Sequence, residues 1–211
     1  MTIGILGDVH ADHLALDAAF RFLKALKSDL IVCTGDLCDG PGDVNACVQL
    51  LSTNQIPTVI GNHDEWCLAG ELRSIDAATR LEDLSVTSRN YLHELPKTIR
   101  LDVDGEEVVL CHGILENTMN KINEDDFGYA LEVNEELQRF IRFDTARVMV
   151  NGHSHRQMVR RFGDKLLINA GTVLREGERC VSTADFSRRI VTFYQFVDGE
   201  PTEIGAYQKA M

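Results

Sequence analysis

Apolar residues recur along the first half of the chain in two alternating rhythms. Short runs of four or five, Thr2 to Leu6, Leu30 to Cys33 and Pro57 to Ile60, have the length and β-branched content of buried strands. Between them Leu16, Ala19, Phe20, Leu23 and Leu26 recur at helical spacing over His13 to Lys27. Asp12 stands where a carboxylate can cap that helix, and a second helix is predicted over Val44 to Ser52. Strand–helix–strand–helix–strand order predicts parallel pairing with helices on the faces.

The rhythm changes at Glu65. Residues 65–95 read as charged helix interrupted by Gly70 and closed by Pro96. Lys97 to Val103 and Glu107 to Cys111 flank Asp104-Gly105, the signature of a hairpin. Asn117 to Phe140 reads as a second polar helical stretch. Strands are predicted again over Arg147–Val150, Met158–Phe162, Lys165–Asn169, Arg179–Asp185 and Arg189–Val197. The sum is an α/β protein: two mixed sheets packed face to face, helices outside, with cap-like stretches at about 65–95 and 114–145.

Composition narrows the setting. The 211 residues are 44% hydrophobic and 26% charged, as expected of one ordinary globular domain spanning 1–211. Met1 to Leu6 lacks the basic segment of a secretory signal, and no apolar run approaches the ~20 residues of a membrane helix. A cytoplasmic location is therefore expected, with the six cysteines as buried free thiols. A net charge of −12 disfavours a nucleic-acid polymer as docking partner but permits a small anionic substrate held by cations.

Five short segments follow apolar runs: Gly7-Asp8-Val9-His10, Gly35-Asp36, Gly61-Asn62-His63-Asp64, Cys111-His112-Gly113 and Asn151-Gly152-His153-Ser154-His155. Each is ordinary alone. Together they hold five of the seven histidines, and such groups are costly to bury unless paired or ligated. Asp8, His10, Asp36, Asn62, His112, His153 and His155 supply only nitrogen and oxygen donors. That set suits two divalent cations, Mn foremost, with Fe, Zn, Ni, Co or Mg as alternatives. Asp-x-His and His-x-His each place two donors on one side, and a carboxylate such as Asp36 can bridge two ions.

The ordered set Asp-x-His, Gly-Asp, Gly-Asn-His-Asp, His-Gly and Gly-His-x-His is similar to the calcineurin-like metallophosphoesterase superfamily over residues 3 to about 172. Gly35 to Gln49 and Asn169-Ala170-Gly171-Thr172 look most like its small bacterial phosphodiesterase-type branch. The resemblance implies a four-layered αββα fold and a phosphoesterase in which metal-activated water attacks a diester or small monoester. It implies one metal on Asp8, His10, Asp36 and His155, and another on Asp36, Asn62, His112 and His153. It further implies His63 as acid to the leaving group, oriented by Asp64.

Two positions depart from the family pattern. Ala11-Asp12 replaces its usual Gly-Asn, and Asp12 reads as a helix cap. Gly40 stands where phosphoprotein phosphatases carry a phosphate-gripping arginine, which disfavours a phosphoprotein substrate. His13 and His93 read as surface or structural residues. Trp66 reads as a rim aromatic or a stacking surface for a base, and Arg156 and Arg160 as one solvated strand face. The rival function is a non-catalytic interaction module, in which ligands or His63 should be missing; all are present.

Overall fold

Strand alternation explains the layering. In β1 (Thr2–Leu6) Ile3 and Ile5 point into one apolar cluster, while Leu6 joins another and Gly4 lies against Leu23. The structure is a computed structural model describing residues 1–71, 73–174, 178–197, 200–202 and 209–210.

β1 pairs in parallel with β2 (Leu30–Cys33) and antiparallel with β8 (Cys180–Asp185). The sheet continues through β9 (Ile190–Val197) to β10 (Glu200–Thr202), and β11 (Lys209–Ala210) also pairs with β9. The second sheet runs β3 (Thr98–Val103), β4 (Glu106–Cys111), β5 (Val148–Asn151), β7 (Lys165–Ala170) and β6 (Gln157–Phe162). Its β4, β5 and β7 are parallel, and both edges are antiparallel.

The inner faces meet. Ile3, Ile5 and Val32 share a cluster with Val108, Leu110, Val148, Val150, Leu166 and Ile168. The outer face of the first sheet, through Leu6 and Cys33, is covered by α1 (His13–Ala25), α2 (Val44–Thr53) and α4 (Val86–Glu94). Val109, Met149 and Leu167 point out of the second sheet onto Leu137 and Phe140 of α6 (Glu135–Phe143). This is the expected helix–sheet–sheet–helix sandwich. Asp12 caps α1 as expected, its carboxylate accepting from Ala15 N.

Three element readings need correction. Residues 57–60 form no strand and make only an isolated parallel bridge between Cys33 and Thr58. Pro57 has no N–H to donate, and Ile60 N already bonds the Pro96 carbonyl. The 65–95 stretch resolves into α3 (Asn62–Leu68), a 3-10 turn at Leu81–Asp83 and α4, with Gly70 at φ +73° beyond the end of α3; Leu72 lies outside the described residues. The 117–140 stretch holds only α5 (Tyr129–Glu132) and the start of α6, broken where Asn134 caps α6. Among the described residues no helix is long and apolar enough to cross a membrane.

Candidate metal centre

Parallel pairing decides where the polar segments go. β1 and β2 end together, so Asp8, His10 and Asp36 leave one sheet at the same edge. β4 and β5 end together in the other sheet and deliver His112, His153 and His155. Asn62 and His63 open α3. The loops are tightly turned: His10, Asp36, His153 and His155 all have positive φ, between 48° and 65°. Strain at non-glycine residues persists only where surroundings over-determine it, and it concentrates at functional sites. Two glycines make room. A Cβ on Gly61 would lie 2.1 Å from Asp36 Oδ1, and one on Gly152 would lie 2.1 Å from Asp8 Oδ1.

The Asn169-to-Thr172 turn ties these loops together. Asn169 Nδ2 donates to the Gly152 carbonyl, and Thr172 Oγ1 donates to the Asp8 carbonyl at 2.8 Å. Thr34, not singled out in the sequence, donates from Oγ1 to Asp8 Oδ1 at 3.2 Å. A hydroxyl after an apolar run carries no distinguishing signal, so it was not readable there.

Two groups of side chains have donor atoms mutually within 4.8 Å: Asp8, His10, Asp36 and His155, then Asp36, His112 and His153. Asn62 joins the second, its Oδ1 2.9 Å from His112 Nε2. All seven candidate donors therefore converge, with Asp36 common to both groups. Asp8, Asp36, Asn62 and His112 are at most 2% exposed.

The donor set fits cations. His112 Nδ1 lies 2.7 Å from the Thr34 carbonyl, which only an N–H can face, so the neutral ring turns its Nε2 lone pair inward. That lone pair meets two acceptor oxygens, Asn62 Oδ1 at 2.9 Å and Asp36 Oδ2 at 3.2 Å. His10 repeats the pattern. Its Nδ1 faces the Cys38 and Asp39 carbonyls, and its Nε2 lies 3.0 Å from His155 Nε2. Asp8 Oδ2 is buried and makes no hydrogen bond, with His155 Nε2 3.1 Å away. Lone pairs aimed at lone pairs are repulsive until a cation lies among them, and backbone-fixed imidazoles are the usual way to orient ligands. Without a cation, protons take that role. Burial opposes charge on His112, yet Asp36 pushes its pKa up to about 10. Burial likewise opposes ionisation of Asp36, but His112 and His10 hold its carboxyl well below the usual range. Burial lowers His10 and His153.

His63 and Asp64 separate in role. Asp39 Oδ2 lies 2.7 Å from His63 Nδ1, and His63 N donates to Asp36 Oδ1 at 2.9 Å. The expected orienting partner, Asp64, faces elsewhere: it accepts from Leu37 N, Cys38 N and Gly61 N at 2.8–3.0 Å. The reason is local. As the third residue of α3, Asp64 reaches back to the backbone before the helix in capping-box fashion. Burial and the Asp36 charge raise its pKa to about 6. Asp39, at φ +64°, is itself held by Thr79, whose Oγ1 accepts from Asp39 N at 2.8 Å and whose N donates to Asp39 Oδ1 at 2.7 Å. The signal for Asp39 was its place three residues after Asp36; nothing signalled Thr79.

Residues outside the cluster fall into place. His13 Nδ1 accepts from Asp43 N, and His93 lies in the last turn of α4. Arg160 departs from the expected solvated strand face: it is half-buried and donates to the Asn123 and Asp126 carbonyls, while Arg156 precedes β6. Arg156 is exposed, and all six cysteines are free and buried.

Likeness to known proteins follows the same outline. An uncharacterized protein of Methanocaldococcus jannaschii is 26% identical over 119 residues, 52% of this chain and 48% of that protein. The chain thus matches about half the length of this relative. A metallophosphoesterase from Sphaerobacter thermophilus superposes with a TM-score of 0.69 at 24% identity, covering 93% of this chain and 88% of that one. Vacuolar protein sorting 29 from Cryptosporidium parvum superposes at 0.59 with 16% identity, covering 100% and 99%. Likeness at these identities shows the fold alone. Residues 1–188 match the calcineurin-like phosphoesterase superfamily domain, and with the buried cluster of metal-capable side chains this establishes that the chain belongs to that superfamily of metal-dependent phosphoesterases.

Proposed function

We propose that the protein is a two-metal phosphodiesterase acting on small phosphodiesters, with phosphomonoesters as secondary substrates. The observation that carries this reading is the pair of donor groups sharing Asp36. Asp8, His10, Asp36 and His155 would hold one divalent ion, and Asp36, Asn62, His112 and His153 the other. Ions so held would supply Lewis acidity, activating water for attack and offsetting phosphoryl charge.

The chain's own groups do the rest. Thr34 and the Thr172 hydroxyl fix the Asp8 segment, and His63 N fixes the Asp36 carboxylate. With His63 Nδ1–H donating to Asp39, the imidazolium form would carry its second proton on Nε2, give it to the departing alkoxide and return to the neutral Nδ1–H tautomer. His63 is part-buried and Asp39 nearly fully so, which keeps their contact out of competition with water. Preference for diesters rests on Gly40, which stands where a phosphate-gripping arginine would serve a dianion. The complete donor set and the His63–Asp39 pair favour an enzyme over an interaction module.

The test is a comparison of bis-nitrophenyl phosphate, nitrophenyl phosphate and a phosphoserine peptide, each with Mn, Ni, Co, Zn and Mg. The diester is expected to be turned over at least as well as the monoester, and the peptide poorly. Clear preference for the peptide would overturn the diester reading. Elemental analysis finding no metal uptake in excess Mn would overturn the two-metal one.

A further inference from the structure

Beside His63 lies a group that the metal chemistry does not use. The Trp66 indole is one turn further along α3, its ring centre 4.9 Å from that of His63 and inclined at 70° to it. The Arg73 guanidinium lies over the indole, 3.8 Å from the ring centre. Trp66 is half-buried and Arg73 exposed. Among the described residues no carboxylate lies within ion-pair distance of Arg73, in a chain with a net charge of −12. A rim tryptophan placed only to fill space needs neither an exposed planar cation on its face nor a place beside the imidazole.

We propose that Trp66 and Arg73 form a leaving-group subsite that takes a planar heteroaromatic ring, so that the preferred diester is a nucleotide whose departing oxygen belongs to the nucleoside. This rests on the phosphodiesterase reading and on His63 as the proton donor to that oxygen. The group attached to that oxygen then lies on the His63 side of the cleft, where Trp66 is the next ring. A nucleobase is flat and π-rich, and it stacks on indole and guanidinium surfaces alike, with little dependence on which base it is. Arg73 already occupies the position that a stacked ring would share or take. Its charge also attracts an anionic ligand toward a molecule that otherwise repels anions. An alkyl leaving group gains none of this.

The test uses two strained five-membered cyclic diesters, adenosine 2′,3′-cyclic phosphate and ethylene glycol cyclic phosphate, with the Mn-loaded full chain. Wild type is expected to favour the nucleotide in kcat/KM by about tenfold or more, the scale of one base–aromatic stack. Trp66→Ala should bring that ratio toward one, Trp66→Phe should keep most of it, and Arg73→Gln should lower it severalfold without disturbing the fold. A second readout needs no turnover. Trp66 is the single tryptophan in the sequence, so adenosine alone should quench its emission saturably, and less tightly in Arg73→Gln. A wild-type ratio near one, or equal losses on both esters in Trp66→Ala, overturns the subsite while leaving the phosphodiesterase reading intact. If neither ester is hydrolysed the phosphodiesterase reading fails, and the quenching titration decides the subsite: saturable quenching supports it, and its absence overturns it.

Discussion

The strand-end loops and the segment from 117 to 134 are built to opposite rules. Asp8, Asp36, Asn62 and His112 are at most 2% exposed, and each is held by backbone or side-chain partners. Phe127 and Tyr129 are 72% and 76% exposed, and α5, which Tyr129 opens, is a single turn. The first region keeps strained backbone because everything around it agrees. The second exposes large side chains and is anchored at separate points, by Ile122 in the core and by Arg160 on the Asn123 and Asp126 carbonyls. Chemistry that needs fixed charge belongs in the first, and variation between relatives belongs in the second.

The largest expected effect contrasts the two regions directly. Asp36→Ala removes the one side chain common to both donor groups and leaves His112 and His10 without their carboxylate. Turnover of bis-nitrophenyl phosphate should fall by about four orders of magnitude, the scale of losing a principal catalytic group. Chelation should do the same reversibly, with recovery on adding Mn. Phe127→Ala should change kcat/KM by less than about twofold, as surface substitutions usually do. Comparable losses in both variants would erase the distinction.

Next comes the pair of aspartates around His63. His63→Ala should cost roughly 10²–10⁴ on a poor leaving group and less on nitrophenolate, which hardly needs a proton. Asp39→Asn should reproduce the same dependence on leaving group at smaller size, because it acts through His63. Asp64→Asn should instead lower metal retention and melting temperature, because its carboxylate holds Leu37, Cys38 and Gly61. A leaving-group dependence that follows Asp64 and not Asp39 would reverse these roles.

That reversal of partners marks how far the sequence could be read. The five Gly-flanked segments were legible because ligand chemistry restricts residue type and strand ends restrict spacing. The layered fold was legible because alternation in Ile3 to Leu6 and Val108 to Cys111 is a local property of the chain. Orientation was not legible. Which of two neighbouring carboxylates faces an imidazole depends on how α3 begins, and Thr79 reaches Asp39 from a loop with no pattern of its own. The 57–60 run failed for a similar reason: apolar content fits a strand, but Pro57 removes a donor the ladder would need.

The same contrast can be tested for stability within one helix. Phe140 of α6 is fully buried against the second sheet, whereas Phe143, three residues on, is 79% exposed. Phe140→Ala should destabilise by about 3–5 kcal/mol, from lost burial and the cavity left behind. Phe143→Ala should stay within about 0.5 kcal/mol. Denaturant unfolding of the two variants measures the difference. Equal effects would mean that α6 is not docked on the sheet.

The smallest effect concerns how the end of α6 is fastened. Asp144 receives both arms of Arg100, at 2.9 and 2.8 Å, and the Ala146 N–H at 2.8 Å. Its side chain is 7% exposed, so solvent screens this pair less than most at a surface. Burial alone would raise the Asp144 pKa, but Arg100 and the Ala146 N–H hold it below the ordinary carboxylate value. A carboxyl with a lower pKa folded than unfolded adds stability above its unfolded value. That contribution disappears as pH falls through the folded value. Asp144→Asn should therefore lower the melting temperature by roughly 2–4 °C at pH 7, corresponding to about 1 kcal/mol in a chain of this size. At a pH below the ordinary carboxylate value the gap between variant and wild type should shrink, because that contribution is lost as the wild-type carboxyl takes up its proton. Melting curves of the metal-free proteins at both pH values give the answer. A gap that widens in acid would mean that Asp144 acts through its shape and the Ala146 turn, with its charge contributing nothing.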